Sequence, residues 1–469
     1  MNTDLTFSDA TTLANLIRTR QVSPVEVVQA HLDRIQAVNP KLNAIVTLAD
    51  TALQSAKEAE AAIQRGDAVG PLHGVPFTVK DSIDTANVPT QRGTPIFKGR
   101  TPSTDATSVA RLKQAGAILL AKTNLPEFSY GIDSDNLLTG RTNNPWNLDL
   151  TPGGSSGGES AAIAAGMSPL GIGTDLAISV RGPAAHTGIV SLKATHGRVP
   201  MTGIWPREPR RFWHIGPMAR SIRDLALAFA QLAGPDGQDA FSSSAIPFDN
   251  GIGNDTERPL RIGWLVEPGF GPIDPEVATT VQAAATALKQ FGHTVDSVRI
   301  PALERDFGLD IFTRLHILEM KPGVIQTTAG RSEDEIGPMA RFLLSATDTP
   351  AADYIDAVQG AERLKDGFAQ YFGNYDVLLA PVLPTPSFPH GASELHINGQ
   401  TVSIFNIMAA TSPFNVTGLP AISMRYGTSN IGMPIGVQII GNWQAESTIL
   451  HIASQLEQVS PTRNLHPTL

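Results

Sequence analysis

The first clear hydrophobic pattern in the chain is helical and lies in the stretch SPVEVVQAHLDRIQAVNP. Ser23 is a typical N-cap residue, Pro24 suits the first position of a helix, and Glu26 completes a capping box. One face of the stretch repeats at helical spacing and consists of Val25, Val28, His31, Leu32 and Ile35. The pattern predicts a helix with one buried face, in which His31 is a packing residue.

Short apolar runs that are typical of strands alternate with helical patterns through most of the remaining chain. The predicted strands lie in NAIVTLA, HGVPFTVKD, AILLAKTN, GIVSLKATHG, LRIGWLV, HTVDSVRI, YDVLLAPVLPTP and MPIGVQIIG. The predicted helices lie in DTALQSAKEAEAAIQRGD, DATSVARLKQAG, PEVATTVQAAATALKQFG and ESTILHIASQLEQV. This alternation predicts an α/β fold in which helices cover both faces of a sheet.

Two regions interrupt the alternation. The stretch PFDNGIGNDTERP predicts a surface connection, and residues 301–371 are mainly helical without strand signals. We expect that helical insertion to cover a cleft. The whole chain, residues 1–469, is predicted to be one domain with an N-terminal helical part (1–65), a core that carries the chemistry (66–240), the insertion (about 301–371) and a C-terminal part of the sheet (372–469).

Composition narrows the class of protein. The 469 residues are 41% hydrophobic and 17% charged, which is typical of a globular chain. A net charge of −9 argues against nucleic acid and anionic membrane surfaces as partners. Cysteine is absent, which excludes disulfides and thiolate metal sites. No secretory signal or membrane-spanning apolar run is visible, so a cytoplasmic protein is expected.

The stretch TPGGSSGGESAAIAAG places two hydroxyls in a glycine-rich loop and continues directly into a small, apolar helix. A flexible linker would separate blocks of different composition, and this loop does not. A G-x-S-x-G reading makes Ser155 or Ser156 the nucleophile of an α/β-hydrolase-type esterase, which would need a histidine downstream. Several histidines follow, but no motif singles one out. No Lys-Ser/Thr pair follows as in a phosphate-binding P-loop.

A wider set of motifs resembles the amidase signature family of serine hydrolases. The motifs are HGVPFTVKDSID, AKTNLPEF, GGSSGGES, PLGIGTDLAISVRGPAAHTGIVSLKATHGRVP, GPMARSIRDLA, APVLPTP and PFNVTGLPAISM…GMPIGVQIIG, in family order from about Pro71 to Gly441. The resemblance implies a large mixed sheet sandwiched between helices (α/β/α). It implies hydrolysis of the C–N bond of an amide or related carbamate through an acyl-enzyme, with no cofactor and no metal.

The resemblance also implies a Ser–Ser–Lys triad. Ser179 matches the nucleophile, Ser155 the bridging serine and Lys80 the base. The chemistry is sound, because burial disfavours a charged lysine and a neutral amine can take a proton from a hydroxyl. Ser155 then relays the proton between Ser179 and Lys80 and later returns it to the leaving amine. In the family a cis peptide precedes the bridging serine, and Gly154 relieves the crowding there.

The other residues to which the resemblance assigns a role lie close to Ser155 or Ser179 in the sequence. The oxyanion hole is expected from the backbone N–H groups of Leu176, Ala177, Ile178 and Ser179. Scaffold roles are expected for Ser156, Asp175 and Arg181.

This chain has Leu-Ala-Ile before Ser179 where family members usually have a glycine pair, and Leu192-Lys193-Ala194-Thr195 where they have Leu-Lys-Pro-Thr. A β-branched residue resists positive φ, so Ile178 is expected at negative φ. The added side chains should make the cleft drier and favour apolar or aryl substrates. This variant is most similar to urethanase-like and aryl-acylamidase-like members.

Two further readings stay open. The lost glycine pair is compatible with a non-catalytic relative, which would be a binding or assembly subunit. The chain could also be a subunit of a glutamine-dependent amidotransferase, which would normally act with partner chains. For the hydrolase we expect a small-molecule amide or carbamate as substrate, and a monomer or a homodimer.

Overall fold

The computed structural model describes residues 4–242, 248 and 258–469. Most of the stretch PFDNGIGNDTERP, predicted to be a surface connection, lies outside these residues. Their helices are α1 (Ala10–Arg18), α2 (Pro24–Leu42), α3 (Ala52–Arg65), α4 (Thr107–Gln114), α5 (Gly157–Ala164), α6 (Arg181–Thr187), α7 (Ile222–Leu232), α8 (Pro275–Leu288), α9 (Pro301–Arg305), α10 (Gly308–Thr328), α11 (Pro338–Ser345), α12 (Ala351–Asn374), α13 (Ser412–Val416) and α14 (Glu446–Val459).

The strands are β1 (Ile45–Leu48), β2 (Pro76–Lys80), β3 (Ile118–Thr123), β4 (Leu170–Asp175), β5 (Val190–Lys193), β6 (His214–Ala219), β7 (Arg261–Trp264), β8 (Thr294–Ser297), β9 (Val377–Pro381), β10 (Glu394–Ile397), β11 (Gln400–Ser403), β12 (Ala421–Thr428) and β13 (Pro434–Gly441). Eleven of them form one sheet in the order β1-β3-β2-β4-β6-β5-β12-β13-β9-β7-β8, and β10 and β11 form a hairpin. The order mixes parallel and antiparallel neighbours, so the predicted mixed sheet flanked by helices is confirmed.

The predicted N-terminus of α2 is confirmed atom by atom. The Glu26 N–H donates to Ser23 Oγ at 3.0 Å, and the Ser23 N–H donates to the Glu26 carboxylate at 2.7 Å. His31 is fully buried, and its Nδ1 lies 2.8 Å from the Val27 carbonyl oxygen. Since a carbonyl only accepts, Nδ1 carries the proton, and His31 is the packing residue that the pattern predicts.

Three sheet strands had no recognised strand pattern, namely β4, β6 and β12. In β6 the reason is Pro217, because proline normally argues against a strand interior. The pairing with β5 covers only Met218 and Ala219, so Pro217 lies just outside that ladder. β4 alternates glycine with apolar residues, as in Gly171 and Gly173, which weakens its strand signal.

The sheet places the motif that ends at Lys80 next to the motif that leads to Ser179. β2 and β4 are parallel neighbours, with Thr78 opposite Gly171 and Val79 opposite Ile172. Their carboxyl ends therefore lie side by side, and the chain turns from β4 directly into α6. Among the described helices, none is long and apolar enough to cross a membrane.

Candidate active site

Lys80 is the last residue of β2 and is fully buried. Its Nζ lies 2.7 Å from Ser155 Oγ and 2.8 Å from Thr174 Oγ1. Thr174 belongs to the neighbouring strand β4, so the sheet itself places it beside the amine. A hydroxyl accepts a hydrogen bond from an ammonium group and can donate one to a neutral amine, so both states of Lys80 find partners.

The electrostatics of this amine favour its neutral form. Burial lowers the pKa of Lys80 well below its usual value, although the charges of Asp175 and Glu159 act in the opposite direction. Glu159, at the start of α5, accepts hydrogen bonds from Thr78 and, at 2.8 Å, from Thr123 Oγ1. Burial raises the pKa of Glu159 to about 7. A protonated Glu159 removes one negative charge from the vicinity of Lys80, which further favours the neutral amine.

The loop that carries Ser155 is packed tightly against its surroundings. The Gly154–Ser155 peptide bond is cis, as the resemblance implies. A Cβ atom at position 154 would lie 2.7 Å from the backbone nitrogen of Asp133, so only glycine fits there. Ser134 Oγ donates to the carbonyl of Gly153 at 3.0 Å and holds the loop from the same side. The glycines thus serve close packing and not flexibility.

Residues 176–179 form the turn between β4 and α6. Three of its carbonyl groups accept hydrogen bonds. The Ala177 carbonyl accepts from Arg181 Nη2 at 3.0 Å, and the Ile178 carbonyl accepts from the Gly182 N–H at 2.7 Å. The Ser179 carbonyl accepts from the Ser156 N–H at 3.2 Å. The four backbone N–H groups of the turn donate to no acceptor within the described parts of the chain. The turn therefore offers a group of free donors to an oxygen atom bound beside it.

The side chains of this turn face two ways. Leu176, Ala177 and Ile178 are not among the described residues with positive φ, as expected for Ile178. All three line the same cavity as Ser179. Ile178 also lies over α6, where a Cβ on Gly182 would be 2.5 Å from its Cγ1. The bulk that replaces the family's glycines is thus shared between the cavity and a glycine on the next helix.

Asp175 and Arg181 form a fully buried ion pair with a 2.9 Å contact. Arg181 Nη1 also donates to the Thr411 carbonyl and to Gln438 Oε1, both at 2.9 Å, and the Val180 N–H donates to Asp175 at 3.1 Å. Burial alone would raise the pKa of Asp175, but the charge and hydrogen bonds of Arg181 hold it below its usual value. The pair therefore stays ionised and anchors the turn at both ends.

A cavity of about 460 Å³ opens onto the turn. Its walls come from residues 129–132, the turn, α10, α11 and residues 403–408, and most of its side chains are apolar. The large apolar ones are Ile132, Leu176, Ile178, Phe307, Leu309, Phe312, Ile317, Met320, Met339, Phe342, Leu343, Phe405 and Met408. Ser179 lies at this wall with 4% of its surface exposed. The helical segment after residue 301 therefore supplies one side of the cleft.

The esterase reading needs a histidine beside Ser155 or Ser156, and the described residues supply none. Ser155 contacts Lys80, and Ser156 Oγ donates to the Thr174 carbonyl at 3.3 Å. His186, near the glycine loop, has two ring nitrogens without hydrogen-bond partners in the described structure. The same described residues contain no cluster of three or more metal-ligand side chains.

Several supporting residues went unrecognised in the sequence. Thr174 directly precedes Asp175, but a threonine at a strand end carries no signal of its own. Asn415 donates to Asp175 Oδ1 at 2.9 Å, and Gln438 holds Arg181. Both lie inside family-like motifs, and an amide in the apolar run PIGVQIIG is the one hint that the sequence contained.

Comparison with known proteins gives one consistent picture. A family model described as Amidase matches residues 26–450. A glutamyl-tRNA(Gln) amidotransferase subunit of Picosynechococcus sp. is 33% identical, with 98% of this chain and 99% of that protein covered. A structure of 6-aminohexanoate cyclic dimer hydrolase complexed with substrate is similar, with a TM-score of 0.88, 31% identity and 99% of each chain covered. A bacterial aryl acylamidase has a TM-score of 0.89 at 27% identity, with 98% of this chain and 97% of that one covered.

Proposed function

Since the chain belongs to the amidase signature family of C–N hydrolases, we propose that it cleaves an apolar amide or carbamate through an acyl-enzyme on Ser179. The observation that carries this proposal is the 2.7 Å contact between Lys80 Nζ and Ser155 Oγ. A buried amine bound to hydroxyls is a proton acceptor next to a proton relay. The Ser156 N–H···O=C Ser179 bond joins the relay loop to the nucleophile turn.

The proposed reaction begins with proton transfer. Neutral Lys80 accepts the proton of Ser155, Ser155 accepts the proton of Ser179, and Ser179 Oγ attacks the substrate carbonyl carbon. The oxyanion that forms is stabilised by the backbone N–H groups of the turn. The proton then returns through Ser155 to the substrate nitrogen, the C–N bond breaks and the amine leaves. Water, activated by the same relay, hydrolyses the acyl-enzyme and regenerates Ser179.

The cavity supports the apolar side of the proposal. Its large side chains are aliphatic, aromatic or thioether, so an apolar or aryl group gains free energy on entering. An apolar wall also excludes water from the donors of the turn and strengthens their effect. Amides and carbamates share the carbonyl carbon and the leaving nitrogen, so the same residues serve both. In a carbamate, cleavage of the C–N bond leaves an alkoxycarbonyl group on Ser179.

One observation favours a second candidate. The relatives include one component of a glutamyl-tRNA(Gln) amidotransferase, so this chain would release ammonia from glutamine within a larger complex. A glutamine substrate carries an ammonium and a carboxylate group, and burial of both requires charged or hydrogen-bonding partners. The residues that line the described cavity include no lysine or arginine to pair with the carboxylate, which makes the apolar substrate the better fit.

A substrate screen tests the proposal directly. The purified chain is assayed on anilides, carbamates, primary aliphatic amides, esters and glutamine, and is labelled in parallel with a fluorophosphonate. We expect turnover of anilides or carbamates and a labelled peptide that contains Ser179. Turnover of glutamine alone would support the amidotransferase reading, and a label on Ser155 or Ser156 would contradict the assigned nucleophile.

A further inference from the structure

One wall of the cavity differs from the rest in its hydrogen-bonding character. α10 presents Leu309, Phe312, Thr313, His316 and Met320 to the cavity, at the spacing of one helix face. Two of these side chains, Thr313 and His316, are polar and uncharged, and Asp310 and Ile317 of the same helix also line the cavity. The question is which hydrogen-bonding groups they leave free for a substrate.

Thr313 has already used its only donor. Its Oγ1 donates to the Leu309 carbonyl oxygen at 2.8 Å, one turn back along α10. The hydroxyl oxygen keeps its lone pairs, so towards any other partner Thr313 is an acceptor.

His316 has also used its only hydrogen-bond donor. Its Nδ1 lies 2.8 Å from the Phe312 carbonyl oxygen, so Nδ1 carries the proton and Nε2 keeps a lone pair. The ring is stacked on Phe312, with centroids 4.1 Å apart and an interplanar angle of 14°, which fixes its orientation. Burial lowers the pKa of His316 to about 4, so the ring stays neutral near pH 7. Nε2 has no hydrogen-bond partner in the described part of the chain.

The carboxylate of Asp310 adds further hydrogen-bond acceptors to this wall. Asp310, which also lines the cavity, shares Arg314 with Asp356, since Arg314 Nη1 lies 2.9 Å from the Asp356 carboxylate. Asp356 also lies 3.8 Å from Arg363, and Asp310 adds to the wall carboxylate oxygens that accept hydrogen bonds and donate none. Asn406 keeps an amide N–H that it can donate, so the acceptor character belongs to α10 and not to the whole cavity.

We propose that the α10 wall, through His316 Nε2 and Thr313 Oγ1, selects substrates whose apolar body carries a hydrogen-bond donor, an N–H or O–H group, away from the scissile bond. A substrate without that donor leaves two acceptors unpaired in an apolar cavity, which costs binding free energy. A substrate with a carboxylate at the same place meets only acceptors, among them the carboxylate of Asp310. This inference rests on the proposed function and adds the class of substrate.

The test uses three anilides that differ only at the far end of the ring, with a hydroxymethyl, a methoxymethyl or a carboxylate group. The wild-type chain is compared with His316→Phe, which keeps the aromatic stack and removes the acceptor, and with Thr313→Val. Thr327→Val is the matched control, because Thr327 Oγ1 makes the same bond to the Gly323 carbonyl at 2.7 Å on an exposed part of α10.

We expect kcat/KM for the hydroxymethyl substrate to exceed that for the methoxymethyl one by about tenfold, mainly through KM. His316→Phe should reduce the ratio to within about twofold, Thr313→Val should reduce it partly, and Thr327→Val should leave it unchanged. The carboxylate substrate should be the poorest for every chain that retains Asp310. A wild-type ratio near one, or an unchanged ratio in His316→Phe, would overturn the proposal while amide hydrolysis stands.

Binding separates this inference from the proposed reaction. In Ser179→Ala, calorimetry should give tighter binding of the hydroxymethyl than of the methoxymethyl compound, and adding His316→Phe should remove the difference. If this holds while the wild-type chain turns over none of the three, the donor selection stands and the proposed reaction fails. Equal binding of both compounds would refute the donor selection regardless of turnover.

Discussion

Two fully buried lysines, Lys80 and Lys193, lie at strand ends of the same sheet and differ in their partners. Burial lowers the pKa of both well below the usual value. Lys80 contacts two hydroxyls. Lys193 contacts the carbonyl oxygens of Leu419 and Ala194, and His214 Nε2 at 3.3 Å. His214 Nδ1 lies 2.8 Å from a carbonyl, so its Nε2 is an acceptor.

The difference teaches that burial and a lowered pKa do not identify a base by themselves. Carbonyl oxygens and a histidine lone pair accept hydrogen bonds but have no proton to give. Hydroxyls both donate and accept, so of these two lysines only Lys80 can exchange a proton with its partners. We expect Lys80 to take part in the reaction and Lys193 to stabilise the fold.

The largest effect is expected at the end of the proposed relay. Ser179→Ala removes the oxygen that attacks the substrate, so kcat should fall by about 10⁴-fold or more. Ser191→Ala is a suitable control, because Ser191 is also buried and its hydroxyl has no partner among the described residues. Single-turnover and steady-state assays on the same anilide measure both. Comparable losses in the two variants would mean that buried serines matter here only for folding.

The next effect concerns the base. Lys80→Met should lower kcat by about 10³-fold, because the relay then ends on a group that cannot accept a proton. In the wild type the rate should rise with pH and level off above an apparent pKa well below 10.5, the usual lysine value. The profile should disappear in Lys80→Met. A profile that instead followed one histidine, and vanished with its removal, would refute the assignment.

Lys80→Met also has a stability consequence. Burial lowers the pKa of Lys80 in the folded chain, so between that lowered pKa and 10.5 unfolding takes up a proton. Stability then rises with pH until that value is passed, and the substitution removes the cost at neutral pH. We expect a Tm equal to or above that of the wild type. A clear drop in Tm would mean that Lys80 is held for structure, like Lys193.

A smaller effect is expected at the turn. Ala177→Gly combined with Ile178→Gly opens the cavity without removing any backbone N–H group. The ratio of kcat/KM between an aryl amide and a small aliphatic amide should fall by about tenfold, because less apolar area is buried. An unchanged ratio would show that these side chains only pack the core. That outcome would leave the relay beside Lys80 untouched.

The smallest effect on activity is expected at the second lysine. Lys193→Met leaves three buried acceptors without a donor, which should destabilise the fold by about 1–3 kcal/mol. Activity per folded molecule should change by less than about threefold. Thermal unfolding and active-site titration with the fluorophosphonate measure the two quantities separately. A large loss of activity at unchanged Tm would mean that Lys193, like Lys80, takes part in the reaction.

The sequence predicted what depends on local pattern. The capping box of α2, the strand that ends at Lys80 and the glycine loop before α5 all follow from spacing and residue type. The positions of Lys80, Ser155 and Ser179 came from a family resemblance, and their catalytic roles remain predictions. The 2.7 Å contact of Lys80 with Ser155 agrees with that resemblance, but no local pattern predicts a contact between residues 75 positions apart.

What the sequence did not predict depends on the third dimension. β12 reads as irregular because AISMRYGT mixes polar and apolar residues, yet β5 and β13 pair with it on both sides. The free donors of the turn and the acceptor wall of α10 depend on which hydrogen bonds are already made. No single-chain pattern carries that information, because each of the residues involved is ordinary by itself.

The anchoring of Arg181 ties the start of the proposed site to the far end of the chain. Its guanidinium contacts Thr411 and Gln438, which follow it by 230 and 257 residues. During synthesis the turn at Ser179 therefore lacks the second of these supports until residue 438 has been made. Hydrolytic activity then requires synthesis past Gln438, and fragments released from the ribosome before that residue are expected to be inert.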